Sequence, residues 1–159
     1  MGAQPKTDTL NEDAQNGRKA VSGLLARALS EELEPALQAL AGDEEITPLR
    51  GPETGLVMLR GRIGGGGSGF NLGETTVSRA SIRLSDGLVG HGHCLGTDRK
   101  KAQMIAIFDA LYQRSSMAEK LEKTLLGKVR TRIASEQKKQ AEETAATRVD
   151  FFTMVRGDN

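Results

Sequence analysis

Apolar residues recur with two different periods along the chain, and the places where the period changes mark out the elements. From Arg18 to Leu33, Val21, Leu24, Leu25, Ala28 and Leu29 fall at i, i+3, i+4, i+7 and i+8, one stripe of an amphipathic helix. Pro35 cannot continue that helix without losing a hydrogen bond. It suits the first turn of a second short helix, Ala36 to Leu40, with Leu37 and Leu40 inward. Gly42 ends this helix, and Pro48 and Pro52 close the loop that follows. Residues 54–63, TGLVMLRGRI, then alternate as a strand. Leu56, Met58, Arg60 and Arg62 share one face; Val57, Leu59, Gly61 and Ile63 share the other. Gly64 to Gly69 reads as a flexible loop, residues 74–84 as a second strand, and residues 88–95 as a third, with Ser85-Asp86-Gly87 as a hairpin signal between them. Short links between consecutive strands predict an antiparallel meander.

Helical spacing returns after Thr97, a good N-cap with Asp98 in the favourable first turn. The helix from Asp98 to about Arg114 is expected to bury Ala102, Ile105, Ala106, Phe108, Leu111 and Tyr112. Another starts near Ser116, with Leu121, Leu125, Val129 and Ile133 as its contact stripe. Beyond Ile133 nothing apolar is larger than Ala until the ending RVDFFTMVRGDN. The expected architecture is α+β: N-terminal helices, an antiparallel β-meander, two C-terminal helices and an extended apolar C-terminal docking segment. The expected domains are a mobile tail at 1–16, a single α+β domain at 17–147 and the docking segment at 148–159.

Composition narrows the class. The 159 residues make one domain, and 37% hydrophobic with four Phe, one Tyr and no Trp is a thin supply of core material. No apolar run approaches the roughly 20 residues of a membrane span. The polar N-terminus has no apolar leader, which gives cytoplasm as the expected location. Cys94 stands alone, so no internal disulfide framework is possible. A net charge of +1 gives no case for nucleic-acid binding by bulk charge. Charge is nevertheless uneven: residues 1–50 hold five basic and nine acidic side chains, and residues 98–159 hold thirteen and nine. Docking faces of different sign and solvated helices both fit that pattern.

Four features bear on chemistry. Glycine lets a backbone approach an anion closely, which brings Gly64 and Gly65 into view. The stretch lacks the G-K-[ST] ending of a P-loop, however, and a strand pattern follows it. Arg60 and Arg62 at i, i+2 and Arg79 and Arg83 at i, i+4, on neighbouring strands, could form one basic sheet face; a solvated face with acidic partners is the alternative. Glu74, Thr76 and Arg79 lie close in sequence, but Thr76 and Arg79 face opposite ways on a regular strand. His91 and His93 share a face with chelating spacing, yet Cys94 points the other way and no further ligands cluster elsewhere, so no metal is expected. No nucleophile, base and orienting acid can be assembled. At the C-terminus Val149, Phe151, Phe152, Met154, Val155 and Arg156 have the composition of interface anchors. Docking on a partner and folding back as an extra strand both account for them.

The stretch from Gly64 to Leu111, with FNLGE, TVSRA and LGTDRKKA, resembles the PhnG family, as do Pro52 to Gly64 and the ending VDFFTMVRGD. PhnG proteins are subunits of the carbon–phosphorus lyase system for phosphonate use. The resemblance implies an obligate hetero-oligomer with PhnH, PhnI and PhnJ and an association with the ATPase-like PhnL. It implies a part in converting MgATP and an alkylphosphonate such as methylphosphonate into α-D-ribose 1-methylphosphonate 5-triphosphate and adenine. The nucleosidase centre of the family's complex is placed on PhnI and the radical iron–sulfur chemistry on PhnJ. This chain is therefore expected to bind no cofactor itself, and to be a component of a transferase, not an enzyme on its own. Positions matching the family's pattern include Gly64, Gly65, Glu74, Thr76 and Arg79. With Arg60 and Arg62 they are the candidate phosphate or substrate contacts. Val149 to Arg156 are the candidate partner contacts, and no catalytic residue is assigned.

Overall fold

The computed structural model describes residues 7–146. Helices α1 (Thr7–Arg27) and α2 (Ser30–Ala41) precede three strands, β1 (Ile46–Arg62), β2 (Gly69–Leu84) and β3 (Val89–Leu95). Helices α3 (Arg99–Tyr112), α4 (Ser115–Leu121) and α5 (Gly127–Ala146) follow, with a π-helical turn at Glu122–Leu126 joining α4 to α5. The strands form one antiparallel sheet in the order β1-β2-β3, the α+β meander that the alternation predicts. The expected C-terminal docking segment lies outside the described residues.

The core fills the space between one sheet face and the helices. Ser78, Ala80, Ile82 and Leu84 of β2 and Gly90, Gly92 and Cys94 of β3 point into it. α3 lies directly on these residues and is buried from Met104 through Leu111. Its closeness depends on absent side chains. A Cβ built on Gly90 would lie 1.9 Å from the Ala106 carbonyl oxygen, and one on Gly92 would lie 2.1 Å from that of Ala102. The alternation Gly-His-Gly-His therefore has a steric meaning: the glycines form a floor under the Ala102, Ala106 and Ala110 side of α3, and the histidines face away.

Polar groups inside this layer are paired. Asp109 is buried on α3, and its carboxylate accepts from Arg18 Nε at 2.8 Å, Arg18 Nη2 at 2.6 Å and the His91 backbone N–H at 2.8 Å. Arg18 also donates to the Val89 carbonyl oxygen, so one guanidinium ties α1 to α3 and β3. Arg114, just past α3, bridges Glu44 and Asp86 and holds the β2–β3 hairpin against the α2–β1 connection. Its hydrogen bond holds the Asp86 carboxyl below the usual carboxylate range.

Several boundaries differ from the sequence expectation. Helix α1 starts at Thr7, inside the expected mobile tail, because its first turns are polar and give no apolar stripe to read. The expected helix through Leu33 breaks at Ala28–Leu29, not at Pro35, which sits inside α2. Capping accounts for the position. Leu29 N–H donates to the Glu32 carboxylate at 2.8 Å, and Arg132 from α5 donates both to that carboxylate and to the Arg27 carbonyl that ends α1. Asp98, not Thr97, caps α3, accepting from Lys101 N–H at 2.8 Å. Pro48 and Pro52 lie within β1 instead of a loop, which is possible because β1 is an edge strand and needs no N–H there.

Arg132 provides a pH-dependent test. Its hydrogen bond, helped by the Leu29 N–H, holds the Glu32 carboxyl below its ordinary 4.5. A depressed carboxyl contributes stability that is present above the ordinary value and is lost as pH falls through the lower, folded one. Arg132→Ala is expected to cost about 1 kcal/mol at neutral pH, given a half-buried pair. The difference from the parent should narrow as pH falls below 4.5, leaving the part owed to the Arg27 carbonyl. Urea unfolding of both proteins at neutral and acid pH checks this, and a pH-independent difference would refute it.

Candidate functional site

β3 pairs with β2 only as far as Val77, but β1 and β2 continue beyond it as a two-stranded ribbon, from Gly55 opposite Val77 to Arg62 opposite Gly69. At roughly 3.4 Å per residue this arm extends about 25 Å past the three-stranded body. Its base is fastened by a chain of hydroxyls. Arg99 Nε donates to Thr54 Oγ1 at 3.2 Å, Thr54 Oγ1 and Ser78 Oγ lie 3.1 Å apart, and buried Ser78 donates to the Gly96 carbonyl oxygen at 2.9 Å. Since Ser78 spends its proton on Gly96, Thr54 is the donor to Ser78. Ser78→Ala is expected to cost about 1 kcal/mol and to loosen the arm, read as faster hydrogen exchange at Thr54 to Val57. An unchanged exchange rate there would contradict this.

The arm is apolar and uncovered. Leu56, Val57, Met58, Leu59, Ile63, Phe70 and Leu72 are all exposed, Ile63 at 75% and Leu56 and Leu72 at 64% each. Between Leu59 opposite Gly73 and Arg60 opposite Asn71 the register shifts, leaving Leu72 as an extra residue. The bulge puts Phe70 and Leu72 together over Gly61, whose Cβ position lies 3.6 Å from the Phe70 ring and 3.8 Å from the Leu72 methyl. Gly61 thus leaves the slot that these two side chains use. They continue the side of the ribbon that carries Val57 and Leu59, while Leu56 and Met58 occupy the other. Covering these side chains is worth on the order of 10 kcal/mol before association costs. Isolated two-stranded ribbons are marginal in water, and contiguous exposed apolar surface marks an interaction site.

The seven candidate substrate contacts separate in space. Arg60, Arg62, Gly64 and Gly65 gather at the arm's tip, where Ile63–Gly65 form a short 3-10 turn and Gly64 takes φ 60. Glu74 opposite Met58 and Thr76 opposite Leu56 lie midway along the arm. Arg79 is back in the sheet body on the opposite face from Thr76, and its Nε donates to Glu53 at 2.7 Å. That hydrogen bond, with Arg50 close by, keeps the Glu53 carboxyl below its usual range. Of the two readings of Arg60, Arg62, Arg79 and Arg83, the joint basic face is not formed. Arg79 and Arg83 are eight or more residues along β2 from Asn71, the partner of Arg60, or about 27 Å at the strand rise.

On the open face, Ser81 Oγ and His91 Nδ1 are 2.9 Å apart, and His93 stands opposite Arg79. Cys94 points into the core, where its thiol donates to the Asp98 carbonyl oxygen and burial pushes its pKa up. Among the described residues no group of three metal-ligating side chains converges. A cleft of about 300 Å³ between α2 and the π-helical turn is lined by none of the seven candidates. No described helix is long and apolar enough to cross a membrane. Sequence reasoning matched Phe70 to the family's pattern but gave neither it nor Leu72 a role, since both fell between the glycine run and the second strand. Their signal was an apolar pair, two apart, following a glycine run that could itself serve as a hairpin turn.

A small α+β body with a long uncovered apolar arm defines a protein of the assembly-component class. The chain belongs to the PhnG family: the family described as "Phosphonate metabolism protein PhnG" matches residues 16–157. A curated protein of Rhizobium meliloti (strain 1021), named alpha-D-ribose 1-methylphosphonate 5-triphosphate synthase subunit PhnG, is 58% identical over 136 residues, covering 86% of each chain.

Proposed function

We propose that this chain is a subunit of α-D-ribose 1-methylphosphonate 5-triphosphate synthase in carbon–phosphorus lyase phosphonate catabolism. In this reading it assembles with PhnH, PhnI and PhnJ and works with a PhnL-like ATPase in the cytoplasm. The observation that carries the reading is 58% identity, over most of both chains, to a protein of that name. The reaction takes MgATP and methylphosphonate to the ribosyl triphosphate and adenine, with ATP as substrate and no cofactor held by this chain.

The geometry favours a role in building the synthase over direct contact with substrate. The candidate polar residues do not converge, Arg79 is engaged by Glu53, and the largest uncommitted feature is the apolar arm. The test is coexpression with the other subunits, followed by an assay of adenine release from MgATP and methylphosphonate. Omitting this chain is expected to abolish both the intact assembly and adenine release. A fully active complex formed without it would overturn the proposal. Deleting residues 149–159 tests the terminal contact in the same way: undiminished copurification would remove Val149 to Arg156 from the interface.

A further inference from the structure

The free edge of β1 changes character along its length. β1 pairs with β2 alone, so its outer edge carries no strand among the described residues. From Ile46 to Glu53 that edge is blunted by Pro48, by Pro52 and by two register shifts, devices that keep an edge from pairing. From Thr54 to Leu59 the register with β2 runs without a break, no proline intervenes, and the sequence alternates apolar residues on both faces. The protected half lies beside the body and the unprotected half is the arm. Residues 54–73 also carry Arg60 and Arg62 and no acidic side chain.

We propose that the outer edge of β1 between Thr54 and Arg62 pairs with an edge strand of another subunit, one whose apolar side chains are flanked by carboxylates that meet Arg60 and Arg62. This rests on the reading of the chain as a synthase subunit. A backbone ladder supplies the affinity of such strand addition, and side chains on alternate faces supply the register. Charge decides between occupants. Two copies of this chain pairing through residues 54–62 would bring two arginines from each and no carboxylate from either, so a different polypeptide fits the edge better.

The experiment is hydrogen exchange on the full chain, alone and within the complex formed by coexpression. In the complex, backbone amides between residues 55 and 62 are expected to slow at least tenfold, with those of Thr47 to Arg50 unchanged. The double variant Arg60→Glu/Arg62→Glu should weaken capture of the chain by the other subunits at least tenfold. Leu49→Ser, on the blunted half and comparably exposed at 44%, should leave capture intact. A complex that forms with unaltered exchange in the arm overturns this inference and leaves the synthase reading standing. Failure of the unaltered chain to join any complex overturns the synthase reading itself. Slowing that appears in the isolated chain as its concentration rises would make a second copy the occupant. Full assembly by the arginine variant with a raised KM for ATP would assign those arginines to substrate phosphates. Either of these last results overturns the proposal.

Discussion

Gly92→Ala, like Gly90→Ala beside it, is expected to be among the costliest single methyl additions in the described chain. On an exposed strand, alanine in place of glycine is worth about 0.5–1 kcal/mol of added stability, so local preference favours the change. Packing reverses the sign. The new Cβ would lie 2.1 Å from the Ala102 carbonyl oxygen and 2.5 Å from the Ala106 nitrogen, both backbone atoms of α3. No rotamer change relieves such a contact; the helix itself must lift from the sheet and open the layer beneath Ile105 and Phe108. Overpacking costs roughly 1–3 kcal/mol when side chains can yield, and a backbone contact belongs at or beyond the top of that range. Gly55→Ala, where nothing lies within 4 Å of the added atom, supplies the baseline. Urea midpoints followed by circular dichroism should separate the two variants widely, and matching midpoints would refute the floor-and-helix account.

Asp109→Ala is expected to lower stability by about 3 kcal/mol, the lower end for removing one member of a buried pair because the Arg18 side chain is 35% exposed. The loss comes less from the attraction than from what remains. The His91 N–H is left in the core without its acceptor, and Arg18 keeps only the Val89 carbonyl. Arg18→Met should be damaging for the reciprocal reason, an unpaired carboxylate on a buried helix face. The double variant Arg18→Met/Asp109→Leu should then recover part of the summed loss, since apolar replacement of a whole pair is often tolerated. Strict additivity of the two single changes would show that the groups do not act as a pair.

What could be read in advance followed from periodicity. β3, the β2–β3 hairpin and α3 were placed within about a residue or two because strict alternation, an Asp-Gly turn and an i, i+4 stripe fall in quick succession there. The turn itself places Gly87 at φ 88, as a three-residue hairpin requires. Elements lacking a burial pattern were not legible. The polar first turns of α1 have no stripe. The outer parts of β1 and β2 are exposed on both faces, so nothing in them distinguishes inside from outside. Proline signalled a break at Pro35 and a loop at Pro48 and Pro52, and each time context overrode it. One sits inside a helix whose start is fixed by Glu32 and Arg132; the others sit on an edge that has no neighbour to pair with. The candidate basic face failed for a related reason. Neighbouring strands alone do not bring side chains together: the register puts Arg60 opposite Asn71 and Arg79 opposite Glu53. Asp109, amid Ile107, Phe108 and Leu111, was visible as a charge on an apolar stripe, but its partner is 91 residues away.

The widened turn at Glu122–Leu126 governs the azimuth of everything after it. Leu121, Leu125, Val129 and Ile133 are spaced by four and are all buried. An α-helix of 3.6 residues per turn would let such a series creep around the axis. The Gly127 N–H, reaching back to the Glu122 carbonyl five residues earlier, absorbs the surplus residue and keeps the stripe in phase. Residue count in this stretch is consequently a mechanical setting. Removing one residue between Glu122 and Leu126 would restore ordinary helical bonding and leave Val129 and Ile133 facing the core, whereas inserting one more would swing them by about 100° toward water. Length is thus constrained here in one direction: the stretch should accept the loss of its surplus residue far more readily than the gain of another.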